Sequence, residues 1–148
     1  RDKNMEANEQ VKNAVFKLLE KYSQGYQDKD IEGMLKLFVP EDDLVVIGTG
    51  FDEWVKGSEE LRCGFERDLE QATRIRIKYR DVTISASGQV AWLSCHMNME
   101  AHVNGQEIYL PGRLSAVVEE KNNEWLFAHL HYSLPAMDQE EGKAYPEP

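Results

Sequence analysis

The sequence contains little cysteine. Cys63 and Cys95 are the two cysteines among 148 residues, and they lack CxxC spacing. No histidine stands at zinc-ligand spacing from a cysteine pair, so neither a zinc finger nor a redox dithiol is indicated. We expect both residues to be buried free thiols, which is the commonest state of an unpaired cysteine.

Long apolar runs and an excess of positive charge are also missing. No run approaches the ~20 residues that cross a bilayer, and the N-terminal RDKNMEANEQ has no apolar signal core. The sequence therefore predicts a cytoplasmic protein without a membrane partner. The 17 Lys and Arg against 27 Asp and Glu give a formal net charge of −10, which disfavours a nucleic-acid partner.

The apolar content, 41% of the residues, is enough for the core of a single domain. Three helices are predicted in the first half of the chain. The first runs from about Met5 to Tyr26, where apolar residues recur in steps of three and four. Asp30 is predicted to cap a short second helix and Ser58 a third. Between them LVVIGTG predicts a short strand that ends in a glycine turn.

After residue 73 the apolar period changes to two, and four strands are predicted. The Asn104-Gly105 dipeptide is a strong signal for a two-residue hairpin. Such a turn pairs residues whose numbers add up to 209, which places His96 opposite Arg113. A shift of apolar parity near Arg80 and Asp81 predicts a bulge in the preceding strand.

This register separates two faces of the sheet. The apolar face is expected to pack under the helices. Leu126, Ala128 and Leu130 of the last strand are assigned to this face. The other face mixes polar groups with aromatic ones, and a second copy of the chain is expected to cover it. The residues predicted for this homodimer interface are Trp92, His96, Arg113, Phe127, His129 and His131.

The order of elements, together with two stretches of sequence, resembles a known family. IGTGFDEWVKGSEELRCGFERDLEQ resembles the SnoaL-like branch of the nuclear transport factor 2-like superfamily. GRLSAVVEEKNNEWLFAHLHYSLP is similar to that branch and to the association domain of calcium/calmodulin-dependent kinase II. The resemblance implies an α+β domain with the cone-shaped, cystatin-like fold, in which three N-terminal helices pack on a bent antiparallel sheet. It also implies a helix-side pocket and a dimer formed through the outer sheet face.

This domain is predicted over residues 5–135, followed by a loose polar tail at 136–148. Helix stripe, turn position and strand parity select a set of aromatic residues and methionines for the pocket. Such side chains suit a small, largely apolar ligand. The predicted pocket residues are Tyr22, Tyr26, Phe51, Trp54, Tyr79, Met97, Met99 and Tyr132.

Four residues are candidates for acid–base chemistry. Arg113 beside His96 would disfavour the imidazolium and keep a neutral base near pH 7. Asp52 and Glu53 are carboxylates near the expected pocket mouth. The alternative for His96 and Arg113 is contact with a partner subunit. The alternative for Asp52 and Glu53 is a solvated turn. Three imidazoles without a fixed carboxylate do not indicate a metal site, and no cofactor is predicted.

Three hypotheses about function remain open at the level of sequence. The first is a homodimeric protein that binds a small molecule in an apolar pocket. The second is a cofactor-independent isomerase, cyclase or dehydratase that works by proton transfer. The third is a purely associative oligomerisation module.

Overall fold

The computed structural model describes residues 4–148, which form three helices and one six-stranded sheet. The helices are α1 (Glu9–Asp28), α2 (Ile31–Leu35) and α3 (Gly57–Gln71). The strands are β1 (Val45–Ile47), β2 (Trp54–Lys56), β3 (Arg74–Ser87), β4 (Val90–Val103), β5 (Gln106–Lys121) and β6 (Glu124–Ser133). Their order in the sheet is β2-β1-β6-β5-β4-β3.

The helix starts follow local capping, with two differences from the sequence prediction. The Asn8 side chain accepts a hydrogen bond from the Val11 amide at 2.9 Å, so α1 begins at Glu9. Asp30 caps α2 as predicted and accepts from the Gly33 amide at 3.0 Å. Ser58 does not cap α3, because this helix begins at Gly57 and its N-cap residue is Lys56.

Residues 5–7 are not helical and lie along the edge of β3. The Ala86 amide donates to the Met5 carbonyl at 2.9 Å, and the Ala7 amide donates to the Ile84 carbonyl at 3.0 Å. The predicted helix start at Met5 is therefore wrong. These backbone groups are satisfied by the sheet rather than by a helical turn.

The predicted register of the hairpin is confirmed. Strands β4 and β5 pair with His96 opposite Arg113 and with Met97 opposite Gly112. The predicted bulge in β3 is confirmed between Arg80 and Thr83. The sheet is mixed, because β1 lies parallel to β6 while the other pairs are antiparallel.

A second bulge, in β6, changes the face on which one aromatic residue lies. Val117 pairs with His129 and Val118 with Phe127, so Ala128 is the additional residue. Phe127 is fully buried on the helix side and takes the core position expected for Leu126 or Ala128. Its predicted place in a dimer interface is wrong, because no part of its side chain reaches the outer surface.

The core lies between the helices and the concave face of the sheet. Its centre is an aromatic cluster with ring centroids 5.1 to 6.1 Å apart. The members are Tyr22, Tyr26, Phe38, Phe65 and Phe127.

The two thiols differ in exposure. Cys95 is buried in this core, and burial raises the pKa of its thiol to about 11. Cys63 is exposed on α3, so its predicted burial is wrong.

Within residues 4–148, none of the helices has the length and apolarity needed to cross a bilayer.

Candidate functional site: a cavity between helices and sheet

A cavity of about 360 Å³ lies between the helices and the concave face of the sheet. Helices α1 and α3 form one wall, and β4, β5 and β6 form the facing wall. The turn between β1 and β2 contributes Glu53 at one end, and β2 contributes Val55. Most of the lining is aliphatic, aromatic or methionine, and the few charged side chains are close to one another on α3 and this turn.

Five of the eight residues predicted for the pocket line this cavity: Tyr22, Tyr26, Met97, Met99 and Tyr132. The structure places the other three elsewhere. Phe51 is fully exposed in the turn after β1, and Trp54 is 67% exposed on β2, where Val55 takes the inward position. The Tyr79 hydroxyl donates to the Leu19 carbonyl at 2.8 Å and so packs against α1.

Asp68 is one of four polar residues of the cavity that the sequence prediction missed, with Thr49, Arg67 and Gln71. It lies in the last turns of α3, and the Tyr26 hydroxyl donates to its Oδ2 at 2.9 Å. Burial raises the pKa of the Asp68 carboxyl to about 6, with a further increase from the neighbouring Glu53 carboxylate. The Tyr26 hydrogen bond and Arg67 act in the opposite direction. Its second oxygen, Oδ1, accepts no hydrogen bond from any residue in 4–148.

Arg67 precedes Asp68 but is occupied by two other carboxylates. Its guanidinium donates to Asp52 at 2.7 Å and to Glu53 at 3.1 Å. The hydrogen bond from Arg67 lowers the pKa of Asp52, which is largely exposed. Gly48 makes room for the Glu53 carboxylate, since a Cβ at that position would lie 1.9 Å from Glu53 Oε2. Of the two predicted carboxylates, Glu53 therefore lines the cavity and Asp52 does not.

The tyrosines of the cavity are neutral hydrogen-bond donors. Burial raises the pKa of both Tyr22 and Tyr26, whose rings meet edge to face at 5.2 Å. Burial also raises the pKa of Tyr132 to about 12. The Tyr132 hydroxyl donates to the Leu110 carbonyl at 2.9 Å. Its ring occupies the space over Gly112, where a Cβ would lie 2.1 Å from a ring carbon.

The predicted histidine and arginine candidates lie on the opposite face of the sheet. His96 and Arg113 alternate with the buried Cys95 and Leu114 and therefore point away from the cavity. His129 Nδ1 lies 2.8 Å from the Val45 carbonyl oxygen, a contact that joins β6 to β1.

His131 is exposed on the same outer face, and His102 pairs with Glu107 at 2.9 Å. The part of the chain that the structure describes contains no group of three His, Cys, Asp or Glu side chains placed to hold a metal ion.

Together, a helix-covered concave sheet and a largely apolar cavity between the two layers define a cone-shaped α+β domain of the nuclear transport factor 2-like class. The family model of the SnoaL-like domain matches residues 15–137. The chain therefore belongs to the SnoaL-like family, which confirms the resemblance seen in the sequence. No curated protein matches the chain.

Solved structures of the same fold share little sequence with this chain. A nuclear transport factor 2-like superfamily protein from Salmonella enterica is 21% identical, with a TM-score of 0.82 over 94% of this chain and all of the other. A candidate dehydratase of that family from Streptomyces avermitilis is 15% identical, with a TM-score of 0.79 over 88% of this chain and 99% of the other.

A protein of unknown function with a cystatin-like fold, from Nostoc punctiforme, is 20% identical, with a TM-score of 0.74 over 90% of this chain and 97% of the other. At these identities the likeness establishes the fold and leaves the function to be argued from the site.

Proposed function

We propose that this SnoaL-like domain binds a small, largely apolar molecule in the cavity between its helices and its sheet. The observation that carries the proposal is the cavity itself, whose volume of about 360 Å³ lies within the range of ligand sites. Tyr22, Phe65 and Met97 offer an apolar surface, and Asp68 offers a single directed polar contact.

We further propose that the domain works as a homodimer through the outer face of the sheet. Trp92 and Tyr109 remain exposed on that face at 37% and 56%. His96 and Arg113 form a cross-strand pair on the same face. This pair lies between the pair that contains Trp92 and the pair that contains Tyr109. Aromatic and arginine side chains in such a mixture are typical of the centre of a protein–protein interface.

The cavity proposal is tested with N-phenyl-1-naphthylamine, a neutral dye whose fluorescence rises in apolar sites. We expect saturable binding to the wild-type protein. Met99→Trp fills part of the cavity and should weaken binding by about tenfold or more. The matched control is Met137→Trp, because Met137 is 74% exposed in the C-terminal tail. Dye binding that Met99→Trp leaves unchanged in a folded protein would contradict the proposal.

Asp68 favours a second candidate function, a cofactor-independent enzyme that transfers protons. A carboxyl with a pKa of about 6 inside a cavity is poised to accept a proton near neutral pH. Tyr26 holds it in place through the 2.9 Å hydrogen bond. Of the functions named among similar structures, a dehydratase would use such a group.

This second candidate is tested with 2-tetralone in D₂O, by following the exchange of its C1 protons by NMR. The protein should accelerate the exchange, and the rate should rise with pH through about 6 as Asp68 ionises. Asp68→Asn should reduce the rate by about 10² or more. Equal exchange with the wild type and the variant would exclude Asp68 as the base.

A further inference from the structure

The charges around Asp68 leave its carboxylate without a cation of its own. Glu53 faces it from the turn between β1 and β2, and the hydroxyls of Tyr22 and Tyr26 face it from α1. The nearest cation, Arg67, is held by Asp52 at 2.7 Å and Glu53 at 3.1 Å.

Lys29, at the end of α1, is also engaged. Its Nζ donates to the carbonyls of Leu69 at 3.1 Å and Ala72 at 2.7 Å. Both cations close to this end of α3 therefore have partners other than Asp68.

The surroundings of Asp68 suit a positively charged group. Its Oδ1 is open for a donor, since Tyr26 uses Oδ2 alone. The rings of Tyr22, Tyr26 and Phe65 line the same cavity, and they pack edge to face at 5.2 and 5.7 Å. Aromatic faces attract ammonium groups, and the attraction is stronger where water is excluded.

We propose that the cavity takes an amine: an ammonium group on an apolar body, with its N–H donating to Asp68 Oδ1 and its body against the aromatic wall. This proposal rests on the proposed function of the cavity as a ligand site and names the chemical class of that ligand.

The alternatives are weaker on electrostatic grounds. An anion would meet the carboxylates of Asp68 and Glu53 in a partly desolvated wall. A neutral alcohol could donate to Asp68 but would leave its partly buried charge uncompensated. Burial and the neighbouring Glu53 carboxylate raise the pKa of Asp68, and a bound ammonium should lower that pKa again.

The test compares three ligands that share one apolar body: 1-aminoadamantane, 1-adamantanol and 1-adamantanecarboxylate. Each displaces N-phenyl-1-naphthylamine from the wild-type protein at pH 8, where the amine is a cation and the acid an anion. We expect the amine to bind about tenfold more tightly than the alcohol, and the carboxylate to bind most weakly. An alcohol that binds as tightly as the amine would overturn the proposal.

A variant separates Asp68 from the other charges at the cavity. Asp68→Asn can still accept the Tyr26 hydrogen bond, so it should fold, and the readout is the ratio of its amine affinity to its alcohol affinity. It should lose the preference for the amine, whereas Asp138→Asn in the exposed tail should keep it. A preference that survives Asp68→Asn would assign amine binding to other groups and overturn the proposal.

The preference for the amine over the alcohol, measured between pH 8 and pH 5, is an independent test. Protonation of Asp68 should reduce the amine preference of the wild type through about pH 6, while Asp68→Asn should show no such step.

The two proposals fail in different ways. If the dye binds and the amine does not compete, the amine proposal is overturned and the cavity remains a ligand site. If the dye does not bind at all, both are overturned.

Discussion

Asp68 keeps its charge in a place that favours the neutral acid. Its carboxylate is partly removed from water, stands near Glu53 and receives one hydrogen bond, from Tyr26. A protein tolerates such a group when the surrounding packing compensates its cost. Functional sites are where this arrangement is commonly found.

The free energy of unfolding should be reduced by the cost of keeping the Asp68 carboxylate charged in this environment. The folded pKa of about 6 lies above the ordinary value of 3.8, so Asp68 lowers stability as pH rises from about 4 to 6. Asp68→Asn removes the charge and keeps an acceptor for Tyr26. We expect it to be more stable than wild type at pH 8 by on the order of 1 to 2 kcal/mol, and nearly equal at pH 4.

Urea unfolding at the two pH values measures this difference directly. Asp138→Asn, in the exposed tail, serves as the control and should follow the wild type at both. A destabilised Asp68→Asn at pH 8 would mean that ionised Asp68 contributes favourable contacts.

At the scale of residues, the sequence indicated the cavity wall better than its polar group. Tyr22 and Met97 follow from a helix stripe and from strand parity, both of which are local patterns. Asp68 stands in the charged run ERDLEQ, among exposed residues such as Glu66. One signal was available: Asp68 lies three residues after Phe65, at the edge of the buried stripe of α3.

The Lys29 side chain joins the C-terminal ends of helices α1 and α3. Lys29 ends α1 in the left-handed conformation, with φ of 55°. Its Nζ reaches the carbonyls of Leu69 and Ala72, which the end of α3 leaves without helical partners. This contact fixes the turn that carries Asp68.

Removal of this link should loosen the end of α3. Lys29→Met keeps the length of the side chain and removes both hydrogen bonds. We expect a loss of about 1 to 3 kcal/mol in the free energy of unfolding. Amide exchange should also become faster in the last turn of α3 than in β4 or β5. Lys17→Met, at an exposed position of α1, is the control and should change neither. Unchanged exchange at Leu69 in Lys29→Met would contradict this role.

At the scale of elements, the sequence predicted the turns and strand registers that residues close together in the chain determine. The Asn104-Gly105 turn set the β4–β5 register, and His96 does lie opposite Arg113. The bulge at Ala128 was not predictable by parity, because it depends on how Phe127 packs against Tyr22. The parallel pairing of β1 with β6 joins strands about 80 residues apart, and no local pattern reports it.

The whole molecule has two chemically different sides. The helix side contains the cavity, and the outer sheet face presents Trp54, Trp92 and Tyr109 to the surface. Exposed aromatics gathered on one face are uncommon in proteins that act alone. The proposed homodimer would cover this face and leave both cavities on the outside of the assembly.

Sedimentation equilibrium at micromolar concentration tests the homodimer. We expect the mass of two chains for the wild type and of one chain for Trp92→Glu, because a carboxylate at the interface centre would be desolvated. Phe16→Glu is the control, since Phe16 is 47% exposed on α1, on the other side of the molecule. It should remain dimeric. A wild-type monomer at this concentration would contradict the proposal.

At this scale the fold class was readable from the sequence, whereas the function was not. The order of helices and strands, with the stretches around Gly48 and His129, identified the SnoaL-like family. The same fold carries many unrelated activities, so membership of the family limits the possible functions but does not identify one. Side chains such as Asp68 decide the chemistry, and their positions result from the assembled tertiary structure.

The segment at residues 5–7 has a consequence for how the protein behaves when it is concentrated. The edge strand β3 is 14 residues long, and a free edge of this length could recruit strands from other molecules. Backbone pairing with residues 5–7 occupies positions 84–86 near its C-terminal end, and exposed Arg76 and Lys78 lie in the N-terminal half. At the opposite edge, β2 has only three residues. Two molecules that meet along β3 therefore find a partly paired backbone and like charges, and those that meet along β2 find only three residues to pair with, which protects the sheet against growth into fibres.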